Sequence, residues 1–197
     1  MAAERIRLRP EERRTQLLDT AQRMMFAPPG APPSMDELAE ATGVSRALVY
    51  NYFDSHAGLC LALLDREIAR FDIEAVEQLA NITDPDNWLV TSTKVYFDAV
   101  EATGALYLTL FANRQADQHV EQRRLQRQRF LTDAVAIQFR HLFGIGRSDA
   151  HITAALVLGM LNSAAELVAV DKHDRHDIES AYLTAARSIL AASKATT

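Results

Sequence analysis

Apolar residues recur at helical spacing along most of the chain, and the runs between them break on proline, glycine or short polar stretches. Between Glu11 and Phe26, the residues Leu17, Leu18, Ala21, Met24, Met25 and Phe26 supply the broad apolar face of a first helix. Ala27 to Pro33 holds four prolines and a glycine in seven residues, which cannot continue a helix and make a stiff connector. From Pro33 to His56 the pattern predicts two short helices and a tight turn. Ser34 stands three residues before Glu37, the spacing of a capping box, and Leu38 and Ala41 give that helix its inner side. Gly43 suits a turn needing positive φ, and Ser45 can cap the next helix, where Val49 and Phe53 share an inward face. The remaining face, Arg46, Ala47, Leu48, Tyr50, Asn51 and Tyr52, is too polar and too aromatic for an idle surface. Helix, glycine turn, helix is the spacing of a DNA-reading helix-turn-helix.

Asp54 or Ser55 can cap a long fourth helix through Leu59, Leu63, Leu64 and Ile68 to about Phe71, with a further helical segment to Leu79 or Ala80. Pro85 then marks the start of a helix carrying Trp88, Leu89, Val95, Tyr96, Phe97 and Val100, which Thr103 and Gly104 end. Gly104 to Asn113 has a strand-like composition, but a lone strand would have no partner, so a short buried helix is predicted. Asp117 to Phe143 is a long helix with a solvated arginine-rich first half and an apolar second half, closed by Gly144-Ile145-Gly146.

The helix from Ser148 or Asp149 to Val170 is apolar on both sides. Ile152, Leu156, Gly159, Ser163, Leu167 and Val170 lie on one, and Ala154, Val157, Leu161, Ala164, Ala165 and Val168 on the other. Such a helix must be covered twice, once inside the subunit and once by a second copy of the chain. A last helix carries Ile178, Ala181, Tyr182, Ala185, Ile189 and Ala192, and the pair can meet its symmetry mates as a four-helix bundle. Val157, Leu161, Ala164, Val168, Ile178, Tyr182 and Ile189 are the expected dimer contacts, so that Leu161→Glu should yield monomers. The expected fold is all-α. Residues 1–54 are expected to form a DNA-binding helix-turn-helix domain, with 1–10 as a flexible arm, and residues 55–197 a larger helical domain that dimerises.

Charge qualifies this picture. The net charge is −5, and through residue 60 seven arginines face eight carboxylates, so bulk composition does not favour nucleic acid. Five of those arginines fall between Arg5 and Arg14, a run that is either a phosphate-tracking arm or a solvated tail. Cys60, beside Leu59 and Leu61, reads as a buried apolar thiol of a reducing compartment. Unbroken apolar stretches such as Ala154 to Leu161 fall far short of the ~18 residues a membrane span needs, so a soluble, cytoplasmic protein without a membrane partner is expected.

Trp88, Tyr96, Phe97, Tyr107, Phe111, Phe130 and Ile137 are candidates to line an apolar effector cavity. Asn162 and Glu166, four apart on an apolar helix, either orient that effector or bond across the dimer. Asp171, His173, Asp174, His176 and Asp177 have metal-ligand chemistry, but their place between two helices favours a solvated loop, and neither a metal nor another cofactor is expected. No nucleophile, phosphate loop or HExxH arrangement supports an enzyme.

With these residues in view, the N-terminal third resembles the TetR-type repressor family. The match runs over roughly residues 11–64: a helix ending in Phe26, Gly30, Ser34-Met35-Asp36-Glu37-Leu38-Ala39, Ala41, Gly43-Val44-Ser45, Val49-Tyr50-Asn51-Tyr52-Phe53, then Ser55 and Leu59. The resemblance implies a two-part helical repressor that binds a double-stranded palindromic operator as a homodimer and is released by a small-molecule effector. It implies DNA contacts at Ser34, Ser45, Arg46, Ala47, Leu48, Tyr50, Asn51, Tyr52 and His56. Family members usually carry a small polar residue at the place of Leu48, a histidine at Tyr52 and a lysine at His56. Arg46 is then the candidate to read guanine and Leu48 to meet a thymine methyl, with Tyr50, Tyr52 and His56 at phosphates. Core packing is the competing role for both tyrosines. A helical dimerisation module with no DNA role and a metal-responsive regulator are the other functional readings.

Overall fold

The computed structural model describes residues 8–26, 32–103, 117–169 and 174–195, and every regular element among them is an α-helix. In chain order they are α1 (Pro10–Phe26), α2 (Met35–Thr42), α3 (Arg46–Tyr52), α4 (His56–Leu79), α5 (Pro85–Thr103), α6 (Gln118–Phe143), α7 (Arg147–Ala169) and α8 (Arg175–Ala195). The fold is all-α, as expected. The segments predicted as the proline connector (mostly residues 27–31) and as a short helix at 104–113 lie outside the described residues.

Local chemistry fixes the helix ends. Pro10 opens α1, where its missing N–H costs nothing, and Glu11 and Glu12 sit in the first turn with Arg23 in the last, matching the helix dipole. At α2 the Glu37 N–H donates to Ser34 Oγ at 3.2 Å while the Ser34 N–H donates to Glu37 Oε2 at 2.7 Å, a complete capping box. Gly43 takes φ 66° beyond Thr42, and the Val44 N–H donates back to the Ala39 carbonyl at 3.1 Å. Ser45 caps α3 and Ser55 caps α4 in the same manner. Pro85 starts α5, Asp117 caps α6 and Gly144, at φ 69°, ends it. One prediction needs correction. Where two helical segments were expected around Phe71, α4 is continuous, because nothing between Phe71 and Leu79 is proline or glycine.

Two apolar cores result. The first gathers Leu17, Leu18, Leu38, Val49, Phe53 and Leu59, continues along α4 to Ile68 and takes in Val120 of α6. The second is built from α5 to α8 around Trp88, Phe97, Phe139, Val157 and Ala165. The division expected after residue 54 falls just before α4, and α4 contributes to both cores. Arg66 on α4 donates to Asp19 at 2.7 Å, to the Leu18 carbonyl at 3.3 Å and to Gln22, tying α4 to α1. Arg123 of α6 reaches Asp65 at 2.5 Å, and Arg127 of α6 grips Asp72 with both terminal nitrogens.

The expected dimer contacts are corrected by α7. Val157, Leu161, Ala164, Ile178 and Tyr182 are buried inside the subunit, and Val168 and Ile189 pack half-buried against the same core. The opposite side of α7 faces out, with Ile152 60%, Leu156 55% and Leu167 44% exposed. On the inner side Ala150, Ala154, Ala164 and Ala165 let α6 and α8 come close around the larger Val157 and Leu161. By length and composition α7 would also suffice to cross a membrane, its mean hydropathy reaching 1.4, which corrects the reading from unbroken runs alone. Its inner side is nonetheless committed to α6 and α8.

Candidate DNA-reading face and effector cleft

The second helix of the pair is anchored by Val49 and Phe53, both fully or almost fully buried, with the Arg14 guanidinium 5.7 Å over the Phe53 ring. That anchorage turns Arg46, Ala47, Tyr50 and Asn51 outward, while Leu48 is half-buried beside them. Tyr52 is also half-buried and packs against the first core, so its ring serves packing as well as the rim of this face. Arg46 is held in place: its Nε lies 3.1 Å from Asp36 Oδ1, its Nη2 3.5 Å from the Tyr50 hydroxyl, and its guanidinium 5.4 Å over the Tyr50 ring. Both partners of the Arg46–Asp36 pair are largely exposed, so the pair is weak and yields readily to a stronger acceptor. Asp36 went unnoticed in the sequence because it meets Arg46 only once Gly43 has folded α3 back across α2.

Ser34 and Ser45 spend their hydroxyls on capping, which leaves lone pairs but fixes their position at the helix ends. His56 is exposed at the first turn of α4, with Nδ1 3.9 Å from Cys60 Sγ. Burial, reinforced by the charge of Asp117, pushes the Cys60 thiol up to about 11, so it stays protonated and unreactive at neutral pH. Of the N-terminal arginines, Arg9 pairs with Glu12 at 2.6 Å and Arg13 bonds Gln16, while Arg5 and Arg7 lie outside the described residues.

A cleft with about 100 Å³ of free space opens between α4, α5, α6 and α7. Its apolar floor includes Leu64, Ile68, Val100, Leu131 and Leu158, and Phe71 and Tyr96 meet edge to face at 5.9 Å on its wall. Two of the expected lining residues are here: Tyr96 and Asn162, joined by a hydrogen bond from the Tyr96 hydroxyl to Asn162 Oδ1 at 2.5 Å. Trp88 and Phe97 are instead core residues, packed edge-on against Phe139 and Tyr182, because the inner stripe of α5 faces α6 to α8. Phe130 and Ile137 are exposed on the outer side of α6, and Glu166 is exposed on α7 away from the lining. Tyr107 and Phe111 lie outside the described residues.

The charged part of the lining escaped the sequence reading. Glu67 and Arg70 of α4 and Arg124 and Arg127 of α6 all face the cleft. A pattern pointing to it exists: Val120, Arg124, Arg127 and Leu131 continue one helical stripe, so two arginines occupy core-facing positions. Arg127 is accordingly only 8% exposed, with its guanidinium over Phe71 and Phe130 at 5.9 and 5.4 Å. Before α8, Asp171 and His173 lie outside the described residues. Asp174, His176 and Asp177 are exposed, and the Asp174 carboxylate accepts the His176 N–H at 2.8 Å as a helix cap. No group of potential metal ligands occurs among the described residues.

Residues 17–63, from the core of α1 to the middle of α4, match the family model of bacterial regulatory proteins of the tetR family. Over these residues the chain is similar to the helix-turn-helix part of TetR-type regulators. An uncharacterized HTH-type transcriptional regulator of Mycobacterium tuberculosis is 35% identical over 99 residues, which are 48% of this chain and 49% of that protein. The chain spans about half the length of the curated relatives it matches. The fold likeness is more extensive. A tetR-family transcriptional regulator from Streptomyces coelicolor superposes with a TM-score of 0.78 over 96% of this chain and 85% of its own, at 22% identity. The crystal structure of AibR in complex with isovaleryl coenzyme A and operator DNA gives 0.68 over 87% and 96%, at 18% identity.

Proposed function

We propose that this chain is a cytoplasmic, ligand-responsive transcriptional regulator, most simply a repressor, that binds a palindromic operator as a homodimer and is released by a moderately sized, largely apolar effector. The observation that carries the reading is the course of α4, which begins at His56 beside the recognition helix and ends as a wall of the cleft. Residues 1–54 are the DNA-binding part and 55–197 the effector and dimer part, with α4 as the lever between them. Arg46 and Leu48 read bases with Ala47 and Asn51 alongside, and Tyr50, Tyr52, His56 and the capping serines Ser34 and Ser45 meet phosphates.

Release follows from volume. Ligand pockets usually measure ~300–1,000 Å³, well above the roughly 100 Å³ of this cleft. An effector therefore fits only by pushing α4 away from α5 and α6. Arg66 passes that movement to α1 through Asp19, Gln22 and the Leu18 carbonyl. In a dimer the two recognition helices must match half-sites at a fixed spacing, so a small rotation of each α4 lowers operator affinity.

The dimer is built on the outer side of α7, where Ile152, Leu156 and Leu167 need a cover, continued by the small exposed residues Ala181, Thr184 and Ser188 of α8. Fluorescence anisotropy on an operator recovered by selection tests the DNA reading. Arg46→Ala should weaken binding roughly tenfold and flatten preference at one base pair of each half-site. Unchanged preference would remove Arg46 as the base reader.

A further inference from the structure

We propose that Glu67 is the effector-sensing group of the cleft, and that the effector is an uncharged, mostly apolar molecule whose polar head donates a hydrogen bond to it. This rests on the cleft being the effector site. Glu67 is 4% exposed and lies on the cleft wall. Its Oε2 is 2.7 Å from Arg70 Nη2, yet the approach is off the hydrogen-bonding direction, so this buried oxygen accepts no directed hydrogen bond. Buried polar atoms in that condition are rare and mark a place where a partner is missing. Arg70, its counter-charge, is half exposed at the rim.

The charge pattern selects the class of ligand. Each arginine of the wall already has a carboxylate: Arg70 has Glu67, Arg124 holds Glu121 at 2.9 and 3.0 Å, and Arg127 holds Asp72. A formal charge on the ligand would enter a partly desolvated site and find no uncompensated opposite charge. A neutral donor such as a carboxamide or hydroxyl meets Glu67 Oε2 at no such penalty, with its apolar body against Leu64, Val100 and Leu158.

Glu67 also connects the cleft to the DNA-binding part. Its other oxygen lies 3.6 Å from Nε of Arg66, the residue that ties α4 to α1. One carboxylate thus shares its charge between the cleft and the α1 clamp, and a donor drawn to it weakens its hold on Arg66.

Four probes with one ring and different heads test this on the full chain by calorimetry: benzamide, benzoate, benzylamine and toluene. The wild type should bind benzamide at least tenfold tighter than benzoate or protonated benzylamine. Glu67→Met, which replaces a buried ion by a flexible apolar chain and so preserves the fold, should lose about tenfold for benzamide and nothing for toluene. Arg70→Ala, which uncovers the carboxylate, should turn the preference to benzylamine. A wild-type preference for benzoate or benzylamine, unchanged benzamide binding by Glu67→Met, or no binding of any probe would overturn the proposal. Operator affinity measured alongside separates the two readings. Release of DNA by benzoate would leave the effector cleft standing and sink the role of Glu67. Benzamide bound through Glu67 with operator affinity unchanged would leave Glu67 as a ligand contact but sink the cleft as the effector site, and the sensing role with it.

Discussion

Helices α3 and α7 solve the same problem with opposite outer faces. Each buries one side, α3 through Val49 and α7 through Ala154, Val157, Leu161 and Ala165. What remains outside differs in kind. On α3 it is Arg46, Tyr50 and Asn51, groups that make directed bonds to a polar, charged partner and are content in water meanwhile. On α7 it is Ile152, Leu156 and Leu167, which make no directed bonds and gain only by leaving water, at about 25 cal/mol per Å² of apolar area. The first face suits a partner that comes and goes. The second suits a partner that stays, in keeping with the proposed pairing of two copies.

Mutations on the two sides of α7 should break the comparison most sharply. Leu161→Glu places a carboxylate in the second core and should cost at least about 4 kcal/mol, enough to abolish the folded state in a chemical denaturation series. Leu156→Glu lies on the outer side and should leave helical circular dichroism intact while light scattering reports a monomer. A dimer that survives Leu156→Glu would move the interface off this face. On α3 the effects are smaller and concern DNA alone. Asp36→Ala frees Arg46 and removes a negative charge, so non-specific DNA affinity should rise a few-fold at low salt and selectivity should fall.

Acid should act at the contact of α5 with α8. Burial alone would raise the Asp98 carboxyl, but hydrogen bonds from Lys94 at 2.7 Å and Arg175 at 2.6 Å, with their charges, outweigh it and hold it below the ordinary carboxylate range. A carboxylate lowered by folding stabilises above its unfolded value near ~3.9 and loses that contribution as pH falls through the folded value. The stability gap between wild type and Asp98→Asn should therefore be constant from neutral pH down to about 5 and close in stronger acid. A gap that widened in acid would assign the wrong sign. Smallest of all, Ser34→Ala should cost about 1 kcal/mol through the lost cap of α2.

What the sequence made legible was local. The Ser34–Glu37 box, Gly43, Ser45, Pro85, Asp117 and Gly144 each act within a few residues of themselves, so spacing alone places them. Val49 and Phe53 were legible for the same reason, since the rest of α3 is unsuited to a core. The two sides of α7 were not, because either side is apolar enough to be inside and the decision lies in how α6 and α8 pack against it rather than in the residues of α7 alone. Trp88 and Phe97 illustrate the same limit: a large aromatic reads alike in a core and in a cavity until its neighbours are known. The cleft was hidden further by its charges, because Arg124 and Arg127 sit in a stretch whose composition is that of a solvated face.

Selection of bound duplexes from a random DNA pool, followed by sequencing, tests the central claim most directly. The expected outcome is an inverted repeat whose half-sites lie one helical turn, about 34–36 Å, or a multiple of it apart, with enrichment lost in Leu156→Glu. No enrichment, or a single half-site bound equally well by Leu156→Glu, would contradict a dimer that reads DNA with paired copies of α3.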